Sequence, residues 1–160
     1  MSATPDIRPA EQGSKQRLRL WLRLLAVTRK IEAELRERMR TEFDSTLPRF
    51  DVMAALSRNE QGLRMSALSG VLRVSNGNVT GIVDRLAEDG LVMRVPVAGD
   101  RRATLVRLTA KGAEVFARQA ADHEGWIDAM LAELSADEAR SYAARLRTLA
   151  QRRDDKGASE

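Results

Sequence analysis

From Lys15 to Phe43 the chain carries neither glycine nor proline, and two apolar rows recur at helical spacing: Leu18, Trp21, Leu22, Leu25 and Leu20, Leu24, Val27, Ile31, Leu35. The pattern predicts one long helix. An apolar arc this wide needs more than one neighbour to cover it, which in a small chain points to a second subunit; the plainer reading is a helix threading its own core. Residues 1–14, with Pro5, Pro9, Gly13 and Ser14, show no periodicity and read as a mobile tail. Ser45, Thr46 and Pro48 can open a second helix, in which Phe50, Met53 and Leu56 recur every third residue and Val52 lies four before Leu56.

Gly62 interrupts the pattern. Leu68 and Leu72, four apart, mark a short helix, and Val79, Ile82, Val83 and Leu86 mark another at i, i+3, i+4, i+7, with Arg73, Val74 and Ser75 between them and Gly90 as the stop. Two short helices joined by a tight turn form a helix-turn-helix. Beyond Gly90 the runs 91–97 and 103–108 are rich in β-branched residues and separated by Ala98, Gly99, Asp100, Arg101 and Arg102, which predicts a β-hairpin with Pro96 near a strand end. Thr109 then caps a helix whose apolar row is Phe116, Ala120, His123, Ile127, Met130 and Leu134. A capping-box pattern at Ser135–Glu138 opens a last helix, with Tyr142, Leu146 and Leu149 on its buried side and its end near Arg153.

The expected fold is therefore mainly α with a small β-hairpin wing. A winged helix-turn-helix at 45–109 is flanked by dimerisation helices at 15–44 and 110–153, and 154–160 form a frayed tail.

Composition narrows the chemistry. The chain has 160 residues, 27 basic and 23 acidic, for a formal charge of +4. Between Leu63 and Lys111 eight basic residues face four acidic ones, so that segment alone carries an excess as large as the whole chain's. Such a surplus suits a polyanionic partner. No cysteine is present and only one histidine, which excludes disulfides, a thiol switch, a thiolate zinc site and a multi-histidine metal site. No cofactor is expected. No apolar run approaches the ~20 residues that span a bilayer, and Met1 to Gln16 lack the apolar stretch of a secretion signal, so the expectation is a soluble cytoplasmic protein.

If Val79, Ile82, Val83 and Leu86 face inward, Ser75, Asn76, Asn78 and Thr80 fall outward at the leading end of the second helix, with Asp84 or Arg85 flanking. Asparagine can bond an adenine edge in two places, hydroxyls bond bases or phosphates, and a helix N-terminus favours a phosphate. The plainer alternative is that Ser75 and Asn76 only cap the helix. Gly77 and Gly81 each cost roughly 1 kcal/mol relative to Ala. Close approach of DNA to the helix accounts for Gly77; for Gly81, tight packing explains it equally well. Arg101 and Arg102 at the hairpin tip suit a minor-groove probe, with Asp100 orienting a neighbouring guanidinium. No phosphate-binding glycine loop or nucleophile motif is present, so no catalytic residue is assigned. His123 and Trp126, three apart on one helix, could with Trp21 line an aromatic cavity for a planar ligand, its carboxylate held by nearby arginines; ordinary core packing explains each residue equally well.

The segment Gly62 to Gly112 resembles the winged core of the multiple-antibiotic-resistance regulator (MarR) family. The matching text is Leu68 to Leu72, VSNGNVTGIVDRLAEDGLV from Val74 to Val92, and GDRRATLVRLTAKG from Gly99 to Gly112. The resemblance implies a homodimer built from the first and last helices, binding a pseudo-palindromic double-stranded operator as a repressor. It implies release when a small ligand enters a cleft between the dimer helices and the winged domain. It places Ser75, Asn76, Gly77, Asn78, Thr80 and Arg85 on the reader helix and matches Asp100 and Arg102 to the family's wing-tip pair, with Arg101 as a second phosphate contact. The chain departs from the family in lacking arginine in the first two turns of that helix. LPRFDVMAAL, SNGNVTG and HEGW are further similar to members that control catabolism of aromatic acids, some responding to a coenzyme A thioester; this implies Trp21, Arg49, Asp51, His123 and Trp126 as pocket residues. Two alternatives remain: an effector-independent architectural DNA-binding protein, and an all-α protein-interaction module.

Overall fold

The computed structural model describes residues 9–72 and 76–157, so the predicted turn Arg73, Val74, Ser75 lies outside the described residues. Two compact units divide the chain, one reaching to His123 and the other beginning at Glu124. The first contains α1 (Pro9–Phe43), α2 (Leu47–Ser57), β1 (Leu63–Arg64), α3 (Met65–Leu72), α4 (Asn76–Glu88), β2 (Val92–Val97), β3 (Asp100–Leu108) and most of α5 (Ala110–Met130). The second contains the end of α5 and α6 (Ala136–Gly157).

α1 corrects the expected tail: residues 9–14 are helical. Proline has no N–H to lose and a φ already suited to a helix's first turn, so Pro9 starts the helix instead of preventing it. Its 35 residues span about 52 Å at 1.5 Å per residue. Only its C-terminal part is covered, with Leu35 and Met39 buried, while Leu18, Leu20, Trp21, Leu22 and Val27 are more than half exposed. α2 starts as predicted: the Thr46 side chain accepts from the Arg49 N–H at 3.3 Å, and Pro48 occupies the first turn, where its missing donor costs nothing.

The sheet has three antiparallel strands in the order β1-β3-β2, where the sequence predicted only a hairpin. β1 pairs Leu63 with Val106 and Arg64 with Leu105, and two residues are too few to show a strand's alternation. β3 begins at Asp100 and not after Arg102, because Ala98 and Gly99, the latter at φ +82°, suffice for the turn. The ladder steps from Pro96 opposite Thr104 to Val97 opposite Asp100, which loops Arg101, Arg102 and Ala103 out of register.

One core joins these elements. Val52, Met53, Leu56, Leu68, Val79, Val83, Leu86 and Val106 are sealed from solvent, and Ile82 packs half-buried against them. Each such aliphatic contributes about 1.5–3 kcal/mol by burial, so the phase of α4 is fixed strongly.

At the junction of wing and α5, the Thr109 hydroxyl accepts from the Gly112 N–H at 2.9 Å and donates to the Gly90 carbonyl at 2.7 Å. One side chain thereby caps α5 and ties it to the end of the reader helix.

In the second unit the capping box forms: Glu138 accepts from the Ser135 N–H at 2.9 Å and Ser135 Oγ accepts from the Glu138 N–H at 3.3 Å. α6 runs on to Gly157, past the predicted end near Arg153 and through part of the expected frayed tail, and α5 stops at Met130, short of Leu134. Tyr142, Leu146 and Leu149 are exposed, not buried, so this single chain leaves their apolar face uncovered.

Candidate functional site

The helical period puts Val79, Val83 and Leu86 on one side of α4 and leaves Asn78, Thr80, Gly81 and Arg85 exposed on the others. Asn76 and Gly77 form its first turn. Two ion pairs hold the helix laterally. Arg49 of α2 pairs with Asp89 just beyond its C-terminus, and Arg94 of β2 donates to Asp84 at 2.7 Å. Lys111 adds a bond from Nζ to the Asp89 carbonyl at 2.9 Å. These contacts do more than fix orientation: Asp84 and Asp89, two of the acids in the reader segment, each face an arginine, which lowers the negative potential around Asn78 and Arg85.

Arg102 is exposed at the looped-out wing tip. Asp100 Oδ1 accepts from the backbone N–H of Arg102 at 3.1 Å, which shapes the turn. Arg101 lies beside it on β3.

Arg49, Phe50 and Asp51, consecutive on α2, serve three directions. Arg49 reaches α4 through Asp89. The Phe50 ring stacks on His123 of α5 with centroids 4.6 Å apart and a 23° tilt, and lies 5.5 Å from Phe116. Asp51 is electrostatically coupled to His123. Packing around the Asp51 carboxyl raises its pKa; the His123 charge opposes that and Glu32 adds to it. Burial lowers the His123 pKa, with Asp51 acting against it. Gln119, on the same face of α5 as Phe116 and His123, is 3% exposed with Oε1 lacking a hydrogen-bond partner, and Arg49 Nε is buried in the same condition. Unpartnered polar atoms of this kind are unusual in a folded interior.

Of the predicted pocket residues, Asp51 and His123 thus interact between α2 and α5 of the first unit, whereas Arg49 turns to α4. Trp21 is 57% exposed on α1, and Trp126, buried, belongs to the second unit. Phe50, Gln119, Asp84 and Arg94 carry parts of the site that sequence reasoning did not assign. Gln119 lies three residues after Phe116 and four before His123, a spacing that puts it on their face of α5. Arg94 had no local signal, because its partner lies on another element.

A helix-turn-helix whose second helix is braced by a three-stranded sheet with a basic tip is a winged helix-turn-helix. Residues 45–104 match the model of the MarR family. A MarR family transcriptional regulator from Silicibacter pomeroyi is 33% identical, covering 86% of this chain and 95% of its own, with a TM-score of 0.71. A mutant MarR from E. coli, crystallised in complex with operator DNA, is 26% identical over 84% of this chain and 95% of its own, with a TM-score of 0.72. The transcriptional activatory protein BadR of Rhodopseudomonas palustris is 36% identical over 91 residues, 56% of this chain and 47% of its own. The chain spans about half the length of the curated relatives it matches. It belongs to the MarR family, whose members are transcriptional regulators and not enzymes. Among the described residues no helix is long and apolar enough to cross a membrane.

Proposed function

We propose that the chain is a ligand-responsive, sequence-specific DNA-binding regulator that acts in the cytoplasm as a homodimer, occupying a pseudo-palindromic operator and repressing transcription from it. The observation that carries this reading is the exposure of Asn78, Thr80 and Arg85 on a helix whose opposite side, Val79, Val83 and Leu86, is locked in the core. Such a helix can enter a major groove without unfolding anything, while Arg101 and Arg102 reach the adjacent backbone or minor groove. Asn76 is the first residue of α4, and the same reading extends to Ser75, which lies outside the described residues. Dimerisation is supported by the uncovered apolar residues of α1 and, separately, of α6. Half-sites are expected about one helical turn, ~34 Å, apart.

The effector of this reading is an aromatic carboxylate or its coenzyme A thioester, taken up near Asp51 and His123, with Arg49 and Trp21 as further contacts. Support comes from the stacked Phe50–His123 pair, which offers an aromatic surface, and from the unpartnered Gln119 Oε1 on the same helix face as His123. The inducer must prefer the DNA-incompetent arrangement of the dimer, since equal affinity for both shifts nothing.

The test is selection of duplexes from a randomised pool by the full chain, followed by gel shifts with 4-hydroxycinnamate and its thioester. A recovered palindromic consensus, released by either compound, supports the reading. Equal retention of all sequences favours the architectural alternative. A consensus unaffected by millimolar concentrations of both removes the proposed effector and leaves the DNA-binding part standing.

A further inference from the structure

The reader helix carries a glycine that nothing in the fold requires. A β-carbon added at Gly81 meets no atom within 4 Å, and its φ lies outside the range in which glycine is favoured. Glycine is the poorest helix former after proline, so the position gives up stability without any packing reason inside the chain. At 100° per residue Gly81 points almost directly away from Val79, Val83 and Leu86. It opens into a groove of about 410 Å³ between the first turn of α2 and α4, walled by Thr46, Arg49, Asn78, Ile82 and Arg85.

The groove's chemistry suits an anion. Asn78 and Arg85 bring an amide and a guanidinium from α4, Thr46 brings a hydroxyl, and Arg49 adds positive charge to the wall while its own Nη2 is engaged by Asp89. Thr46 also caps α2, whose N-terminus carries the positive end of the helix dipole. A strand of duplex DNA lying beside an inserted reader helix presents its sugar–phosphate backbone at this flank, and a side chain at Gly81 would stand in its way.

We propose that this groove seats one backbone phosphate of each DNA half-site, and that residue 81 is glycine so that the strand can close against the helix. The inference rests on the DNA-binding reading and adds to it a contact from outside the reader helix, through Thr46 and the start of α2.

The experiment compares the wild-type full chain with Gly81→Ala on a fluorescein-labelled duplex that the wild type has selected from a randomised pool. Each phosphate is then replaced in turn by a neutral methylphosphonate. The expected result has two opposite signs: the variant melts at a higher temperature, because alanine favours the helix and meets nothing, yet binds the duplex at least tenfold more weakly. One phosphate per half-site, when neutralised, weakens the wild type about tenfold and the variant less than threefold. Equal affinity of the two proteins overturns the seat, as does a lower melting temperature, which would reveal a packing role. A weakened variant without any such coupled phosphate overturns it too. A pool from which the wild type retains nothing overturns the DNA-binding reading itself, a result distinguishable from all three.

Discussion

Gly112 lies so close to Leu91 that a β-carbon on it would stand 1.8 Å from the Leu91 carbonyl oxygen. The obstacle is backbone, held in turn by the Thr109 N–H at 3.1 Å, so it cannot move aside as a side-chain tip would. The start of α5 is pressed against the entry to the wing, and only glycine permits it. Gly112→Ala is expected to cost about 3 kcal/mol, the upper range for overpacking, and to lower the urea midpoint without changing the slope. A midpoint within error of wild type would show that the junction is looser than the structure draws it.

The Arg94–Asp84 pair, 2.7 Å between Nη2 and Oδ1, joins wing to reader helix on a largely exposed surface. Exposed pairs contribute only about 0–1 kcal/mol to stability. Their electrostatic consequence for a polyanion is larger, since Arg94→Ala removes a positive charge and leaves the Asp84 carboxylate uncompensated near DNA. The expected outcome is a melting temperature within about 2 °C of wild type and operator affinity lower by roughly tenfold at low salt, with part of the loss recovered by Asp84→Asn in the same chain. Calorimetry and fluorescence anisotropy read the two effects separately.

At the wing tip, Arg102→Ala is expected to remove one phosphate contact per protomer. The slope of log affinity against log salt should then fall by about 0.9 for each protomer bound, with similar losses on matched and mismatched duplexes. Asn78→Ala, in contrast, should weaken the selected sequence more than mismatched ones. An Arg102→Ala variant with the wild-type salt slope would place the wing away from the backbone.

These outcomes depend on features that were unequally visible in the sequence. The phase of α4 was legible because Val79, Val83 and Leu86 repeat at helical spacing, and the caps at Thr46, Thr109 and Ser135 were legible because capping is a local interaction. β1 was hidden, since two residues show no alternation and its partner, Val106, lies 43 positions away. The Arg49–Asp89 and Arg94–Asp84 pairs were hidden for the same reason: a charge announces its sign in a sequence but not its partner. Residues 9–14 were misread because Pro9 ends one helix pattern as readily as it starts another, and only backbone geometry distinguishes the two. The empty space around Gly81 has no local signal either, since it depends on how α4 sits among the other elements.

The Asp51–His123 pair gives the protein an opposed pH response. His123 has a lowered pKa in the folded chain, so the unfolded chain binds more protons just below the ordinary histidine value of 6.5, and stability falls as pH drops through that region. Asp51 has a raised pKa, so its contribution is present below the ordinary carboxylate value of 3.8 and is lost as pH climbs through the higher folded value. His123→Phe, which keeps a ring against Phe50 and cannot titrate, should flatten the decline in melting temperature between about pH 7 and pH 5. Asp51→Asn should gain more stability at pH 7 than at pH 4. Parallel curves for wild type and His123→Phe would mean that the histidine is solvated in the folded protein.

Leu22 of α1 and Leu146 of α6 are each about half exposed, at 53% and 47%, within apolar rows that the single chain leaves uncovered. Covering such a residue contributes about 1.5–3 kcal/mol, so a dimer that buries both rows in each protomer gains far more than the cost of association, whereas a charge placed there must be desolvated without a partner. The double variant Leu22→Glu, Leu146→Glu is expected to sediment as a monomer at micromolar concentration where the wild type sediments as a dimer. The winged unit has its own core of Val52, Leu56, Leu68, Val83 and Leu86, so the variant should keep most of its helical circular dichroism while losing affinity for a two-half-site duplex by about a hundredfold or more. A variant that remains dimeric at the wild-type dissociation constant would place the subunit contact elsewhere on the chain.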